Sequence, residues 1–257
     1  MTVRLIGRRM LVVGASAGIG RALAVRAVEE GAHVLAAARR GAELEKIEGC
    51  VPVTADVCAE DDCARLAETA RDALGEIDVL VSCVGTAPLR MIADTDAADW
   101  RRVFDVNVVG FHQVLRACRP VLAPNAVVAV LSSESVDQPR SGLGAYSASK
   151  LALERTLTAW RVEHPGLRFC RIRVGATFPT GFGDAFDGPT LERVLKDWAA
   201  RGLAQEHFMT PEEVAAVLTG VFATAADLPG VCLDELTVRS PSAVTEGFES
   251  AFGDHRP

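Results

Sequence analysis

Residues 10–20 read Met-Leu-Val-Val-Gly-Ala-Ser-Ala-Gly-Ile-Gly. A short apolar run, the pattern of a buried strand, passes through three glycines into a helical stretch over 18–30. Gly14, Gly18 and Gly20 permit a tight turn and close approach of a pyrophosphate to the start of that helix. Such turns also serve packing alone, so the surrounding pattern has to decide between the two readings.

Moving outward, strand-like and helix-like segments alternate. HVLAAA (33–38) and VPVTA (51–55) read as strands, a charged helix spans about 59–74, and IDVLVS (77–82) is a fourth strand. The apolar spacing Trp100, Val103, Phe104, Phe111, Leu115, Cys118, Leu122 predicts one long helix over 99–122. AVVAVLS (126–132), a helix over about 145–163, LRFCRIRV (167–174), a helix near 211–223 and VCLDELTV (231–238) complete the series. Seven strands alternating with helices imply an α/β fold: a Rossmann-type, doubly wound parallel sheet covered on both faces. Residues 1–257 read as one domain. Residues 177–209 fit the alternation least and are expected to form a substrate lid, and 243–257 a frayed tail.

The chain of 257 residues carries 27 Lys and Arg against 34 Asp and Glu, a net charge of −7 with no basic block. That balance argues against nucleic acid or an anionic membrane as partner. No apolar run reaches the length of a membrane helix, and the N-terminus lacks a secretory pattern. Seven cysteines without a C-x-x-C pair predict reduced thiols in a cytoplasmic protein, and no cluster has metal-ligand spacing.

Tyr146 is the single tyrosine, and Lys150, one of three lysines, follows it at one helical turn. The pair reads either as an exposed helix contact or as a proton-transfer pair.

The spacing G-x-x-x-G-x-G resembles the short-chain dehydrogenase/reductase family, and the resemblance runs from about residue 8 to 240. The family's motifs recur in order: Asp56 after the third strand, SCVG (82–85) after the fourth, Asn107 in DVNVVG, Ser133 thirteen residues before Tyr146, and Y-S-A-S-K as the family's Y-x-x-x-K. The resemblance implies Asn107, Ser133, Tyr146 and Lys150 as catalytic residues, with Asn107 in a water relay to the lysine. It implies Gly14, Ser16, Gly18, Ile19, Gly20, Arg39, Asp56, Val57, Gly85, Lys150 and Thr180 as the cofactor-binding set. Two motifs depart from the family: SCVG keeps only the final glycine of N-N-A-G, and Gly175-Ala176 replaces Pro-Gly ahead of Thr180.

The implied reaction is hydride transfer between a nicotinamide cofactor and a small-molecule secondary alcohol or carbonyl. Its alkoxide needs a proton, and a lysine one turn from a tyrosine is expected to lower the phenol's pKa. A carboxylate at the end of the second strand would bind the ribose hydroxyl of NAD. Ala38, Arg39 and Arg40 stand there instead and favour NADP, unless the arginines only solvate a loop. Phe178, Phe182, Phe186, Phe208 and Trp198 fall in the expected lid, either facing an apolar substrate or packing on the protein. Phe178, Phe182 and Phe186 are expected to form a cover ordered with the cofactor. Glu134, Gln138 and Arg140 lie between Ser133 and Tyr146 and offer polar selectivity. The family is often oligomeric through the helices here at 99–122 and 145–163, so a homo-oligomer is expected. The competing class is a catalytically silent nucleotide or redox sensor on the same fold.

Overall fold

The computed structural model describes residues 4–183, 186–203 and 207–241. Seven strands form one parallel sheet: β1 (Arg9–Val13), β2 (His33–Ala38), β3 (Cys50–Thr54), β4 (Ile77–Ser82), β5 (Leu122–Ser133), β6 (Arg168–Val174) and β7 (Glu235–Val238). Their spatial order is β3-β2-β1-β4-β5-β6-β7. The connecting helices are α1 (Gly18–Glu29), α2 (Gly41–Leu44), α3 (Glu60–Leu74), α4 (Ala97–Phe104), α5 (Gly110–Cys118), α6 (Gly144–Glu163), α7 (Gly188–Ala200) and α8 (Pro211–Asp227).

Each central strand is apolar on both sides because helices cover both faces. Met10 and Val12 of β1 join Val34, Ala36, Val79 and Ala129 in the core beneath α1 and α8. Their neighbours Leu11 and Val13 join Leu35, Leu80, Val128 and Phe169 beneath α3, α5 and α6. The period-2 alternation of a strand thus survives inside a continuous apolar run, distributing side chains between two cores. The outer strands behave differently. β3 leaves Val51 and Pro52 exposed, and proline is tolerated there because an edge needs fewer donors.

Helix ends follow their sequence signals. Thr210 and Glu213 form a reciprocal cap at the start of α8, and the Asp96 carboxylate accepts from the amides of Ala98 and Asp99 at the start of α4.

Three elements differ from the sequence expectation. The helix over 99–122 is not continuous: a π-turn at Asp105–Val109 separates α4 from α5, and Leu122 opens β5 instead of closing the helix. β7 is four residues long, since Val231 and Leu233 lie outside the ladder and are exposed. The expected lid contains a regular helix, α7. Residues 243–257 lie outside the described residues.

β1 has β2 on one side and β4 on the other, so the chain winds away in opposite directions from the gap beyond their carboxyl ends. Open parallel sheets bind ligands at this switch point.

Candidate active site

The glycine turn leaves β1 at Gly14 with φ of 88° and enters α1 at Gly18 with φ of 51°. Both values lie in the left-handed region, where glycine carries no penalty. Close approach explains the third glycine: a β-carbon on Gly20 would fall 2.3 Å from the Gly14 carbonyl oxygen. Ala17 gives α1 no side-chain cap, so its first amides are left to an anion, as a pyrophosphate cradle requires. One wall of the turn is the backbone of Cys83, after β4. The other is Thr180, whose carbonyl oxygen would lie 2.8 Å from a β-carbon on Gly18. The two departures from the family pattern, SCVG and Gly175-Ala176, therefore still deliver Cys83 and Thr180 against the turn.

At the end of β2, Ala38 is followed by two exposed arginines. Arg40, rather than Arg39, reaches the glycine turn, donating from Nε and Nη2 to Ser16 Oγ at 3.2 Å each. Asp56 stands after β3, its Oδ1 accepting from the Cys58 amide at 3.0 Å. Val57 is buried against Gly110, whose missing β-carbon makes room for it.

Asn107 sits on the π-turn, 1% exposed. Its Oδ1 accepts from the Thr86 amide at 2.8 Å, and its Nδ2 donates to Thr86 O at 3.0 Å and Ser149 Oγ at 2.9 Å. A buried amide among apolar neighbours is thus satisfied, and it ties the loop after β4 to α6 beside Lys150. The one-residue expansion of a π-turn is a common device at functional sites.

Ser133 ends β5; its Oγ accepts from the Ser135 amide, and its hydroxyl acts on the Tyr146 phenol to lower its pKa. Lys150 is 2% exposed, and its Nζ donates to Leu131 O at 2.7 Å and Val84 O at 3.0 Å. A β-carbon on Gly85 would stand 3.2 Å from that ammonium. Ser133, Tyr146 and Lys150 are therefore brought together, with Asn107 attached through Ser149.

The electrostatics depart from the sequence expectation. Burial pushes the Tyr146 phenol up to about 12, against a smaller lowering from Ser133. Burial also pushes the Lys150 ammonium down to about 8. The expected lowering of the tyrosine by its lysine is not what this arrangement does. The ammonium is 5.8 Å from the ring centroid and spends two of its three protons on main-chain carbonyls. Desolvation of the charged form dominates at both groups.

A third cluster covers the tyrosine. Leu89, Leu143 and Val194 are buried with it, and Phe182, Phe186, Leu191 and Trp198 pack around them. Phe178 does not join: it is 68% exposed and meets Phe208 edge-on. The far end of α7 is pinned by polar contacts, Ser141 Oγ to Asp197 Oδ2 at 2.6 Å and Trp198 Nε1 to Ser141 O at 3.0 Å. Arg140, half-buried, faces the buried Glu134 at 2.5 Å, and Arg140 also reaches Leu203 O. Of the polar loop residues, Arg140, paired with Glu134, therefore serves the cover.

Sequence reasoning missed Thr86, Ser149 and the carbonyls of Leu131 and Val84, which carry no residue-type signal. It placed Arg39 in the cofactor-binding set, whereas Arg40 is the arginine that reaches Ser16.

The short chain dehydrogenase family model matches residues 8–189. The chain is 35% identical over 228 residues to 1-deoxy-11-beta-hydroxypentalenate dehydrogenase of Streptomyces arenae, covering 82% of this chain and 77% of that protein. It is 34% identical over 223 residues to glycine betaine reductase ATRR of Emericella nidulans, covering 82% of this chain but 17% of that protein's length. An alcohol dehydrogenase from the archaeon Thermococcus sibiricus, complexed with 5-hydroxy-NADP, shares the fold with a TM-score of 0.78 at 22% identity, covering 93% and 99% of the two chains. The chain belongs to the short-chain dehydrogenase family, whose members are NAD(P)-dependent oxidoreductases acting on CH–OH and C=O groups. Among the described residues, no helix is long and apolar enough to cross a membrane, and no group of His, Cys, Asp and Glu is placed to hold a metal ion.

Proposed function

We propose that the chain is a single-domain oxidoreductase that reduces an apolar ketone or aldehyde, or oxidises the matching alcohol, with NADP(H) preferred over NAD(H). The observation that carries this reading is the convergence of Ser133, Tyr146 and Lys150 at the carboxyl end of β5, beneath an apolar cover.

The residues of the glycine turn would hold a reduced nicotinamide cofactor, whose chemistry would be to supply a hydride to the carbonyl carbon. Ser133 donates a hydrogen bond to the substrate oxygen, and Tyr146 gives its phenolic proton to the same oxygen. The high pKa of the buried phenol keeps it protonated, which suits an acid in the reducing direction. Lys150 stabilises the phenolate left behind and binds the ribose. Asn107 holds the loop and helix that frame the lysine, and a water relay from it to Lys150 is the role assigned by the family pattern. Gly14, Ser16, Gly18, Ile19, Gly20, Asp56, Val57, Gly85 and Thr180 form the dinucleotide cradle, with Arg39 and Arg40 on the ribose phosphate. A homo-oligomer would pair copies through α4–α5 and α6, where Val109 and Leu151 are exposed.

A panel of apolar ketones and aldehydes, followed by NADPH absorbance, tests the proposal. Tight NADPH binding without turnover of any member would favour the sensor reading.

A further inference from the structure

Glu154 lies one turn beyond Lys150 on α6 and is 4% exposed. A buried carboxylate requires strong partners. Ser132 Oγ donates to its Oε1 at 2.6 Å, Arg173 Nε to the same oxygen at 2.9 Å, and Arg173 Nη2 to Oε2 at 2.7 Å. Ser132 and Arg173 are opposite partners in the β5–β6 register, so the carboxylate bridges a helix to two adjacent strands. The other edge of Arg173 meets Asp137 Oδ2 at 2.7 Å and Glu235 Oε1 at 3.0 Å.

This arrangement adjoins the reacting groups on both sides. Lys150 grips the carbonyl of Leu131, Glu154 grips the side chain of Ser132, and Ser133, next along, is the hydroxyl that lowers the Tyr146 pKa. Two successive turns of α6 are thus fastened to successive residues of β5. Fastening alone does not call for a charge, since well-packed apolar residues replace a buried ion pair without loss in many cores.

The charge has a target in Lys150. The groups facing the ammonium are the Leu131 and Val84 carbonyls, the Tyr146 phenol on its own helix, and the Cys83 thiol after β4. All are neutral near pH 7, the thiol because burial pushes it up to about 12. Glu154 is the carboxylate acting on Lys150 among the described residues, and it is itself faced by Arg173 and Arg171 from β6.

We propose that Glu154, oriented by Ser132 and Arg173, is a positioning residue that keeps the Lys150 ammonium charged and in register with Ser133 and Tyr146. The proposal rests on the oxidoreductase reading of the same site.

The test is the alkaline limb of kcat/KM for carbonyl reduction with NADPH. Protonated Lys150 is required, so activity falls as pH rises through its pKa. Glu154→Gln retains an oxygen for Ser132 and Arg173 while removing the charge, and the limb should move down by about one pH unit. Arg173→Met leaves the carboxylate without its counter-cation, and the limb should move up. Opposite displacements support the proposal. A limb that stays in place in both variants, or moves the same way in both, overturns it, whatever happens to kcat or Tm. If wild-type protein turns over no carbonyl, the oxidoreductase reading fails separately. The pH dependence of NADPH binding, read by fluorescence, then decides on the same two displacements.

Discussion

The ring of Phe182 lies against the ring of Tyr146, centroids 5.0 Å apart with planes tilted by 58°. Phe186 continues the stack edge-on to Phe182 at 5.5 Å. A residue of the cover therefore touches the proposed proton donor and shares in the burial that raises the phenol's pKa. Phe182→Ala should bring the Tyr146 titration back toward the ordinary value of ~10 and raise KM for apolar ketones by about tenfold. Unchanged titration and KM would place the wall of the site elsewhere.

Because Tyr146 is the single tyrosine, ultraviolet difference titration reports it alone. Cofactor-free protein should ionise near pH 12. Tyr146→Phe should leave NADPH affinity within about twofold while turnover falls by roughly 10²–10⁴, the range for loss of a general acid. Near-normal turnover in that variant would rule the tyrosine out as the acid.

Arg39→Ala and Arg40→Ala should each weaken NADPH binding by about tenfold and leave NADH nearly unaffected, as expected for loss of a charge-assisted phosphate contact. Ala38→Asp with Arg39→Ala should flatten or reverse the preference. Calorimetry showing that wild-type protein binds NADH better would refute the assignment.

Gly20→Ala forces a methyl group to 2.3 Å from the Gly14 carbonyl oxygen, a backbone atom that has no side-chain freedom to yield. The turn must open, so dinucleotide affinity should fall by at least tenfold. The lowered Tm should not be restored by saturating NADPH. A variant that binds as tightly as wild type would show that the turn is not the cradle.

Asn107→Leu should destabilise the protein by about 2 kcal/mol, because the half-buried Thr86 amide loses its acceptor and Ser149 Oγ and Thr86 O lose a donor. Thermal or denaturant unfolding measures it directly, and a neutral result would mean that the loop rearranges to satisfy that amide.

The layered sheet was legible because its strands are apolar runs bounded by turn residues; β2 and β4 coincide with HVLAAA and IDVLVS. The pairing of Tyr146 with Lys150 was legible in the spacing, since one turn of helix sets them on a common face. A π-turn leaves no such mark. Its single extra residue changes where Asn107 points without disturbing the apolar positions on either side. α7 carried a readable stripe, Leu191, Val194, Leu195 and Trp198, that the glycines and prolines around it obscured. Whether Arg39 or Arg40 turns toward Ser16 depends on the path taken after β2. The tyrosine's pKa was misjudged because proximity of charge is visible in a sequence whereas desolvation is not.

The placement of β1 between β2 and β4 bears on how the molecule comes into being. Arg9 is joined to Asp78, 69 residues away, by hydrogen bonds of 2.7–3.0 Å. The wall against Gly14 is built from Cys83. Every ladder in the sheet is a parallel crossover, so none of it forms from a hairpin, and each pairing closes a long loop first. During synthesis the glycine turn leaves the ribosome before β4, and its wall at Cys83 is missing until that strand follows. Destabilising changes in β4 should therefore slow refolding of the glycine turn itself, and a cofactor present during refolding has nothing to hold until that strand has docked.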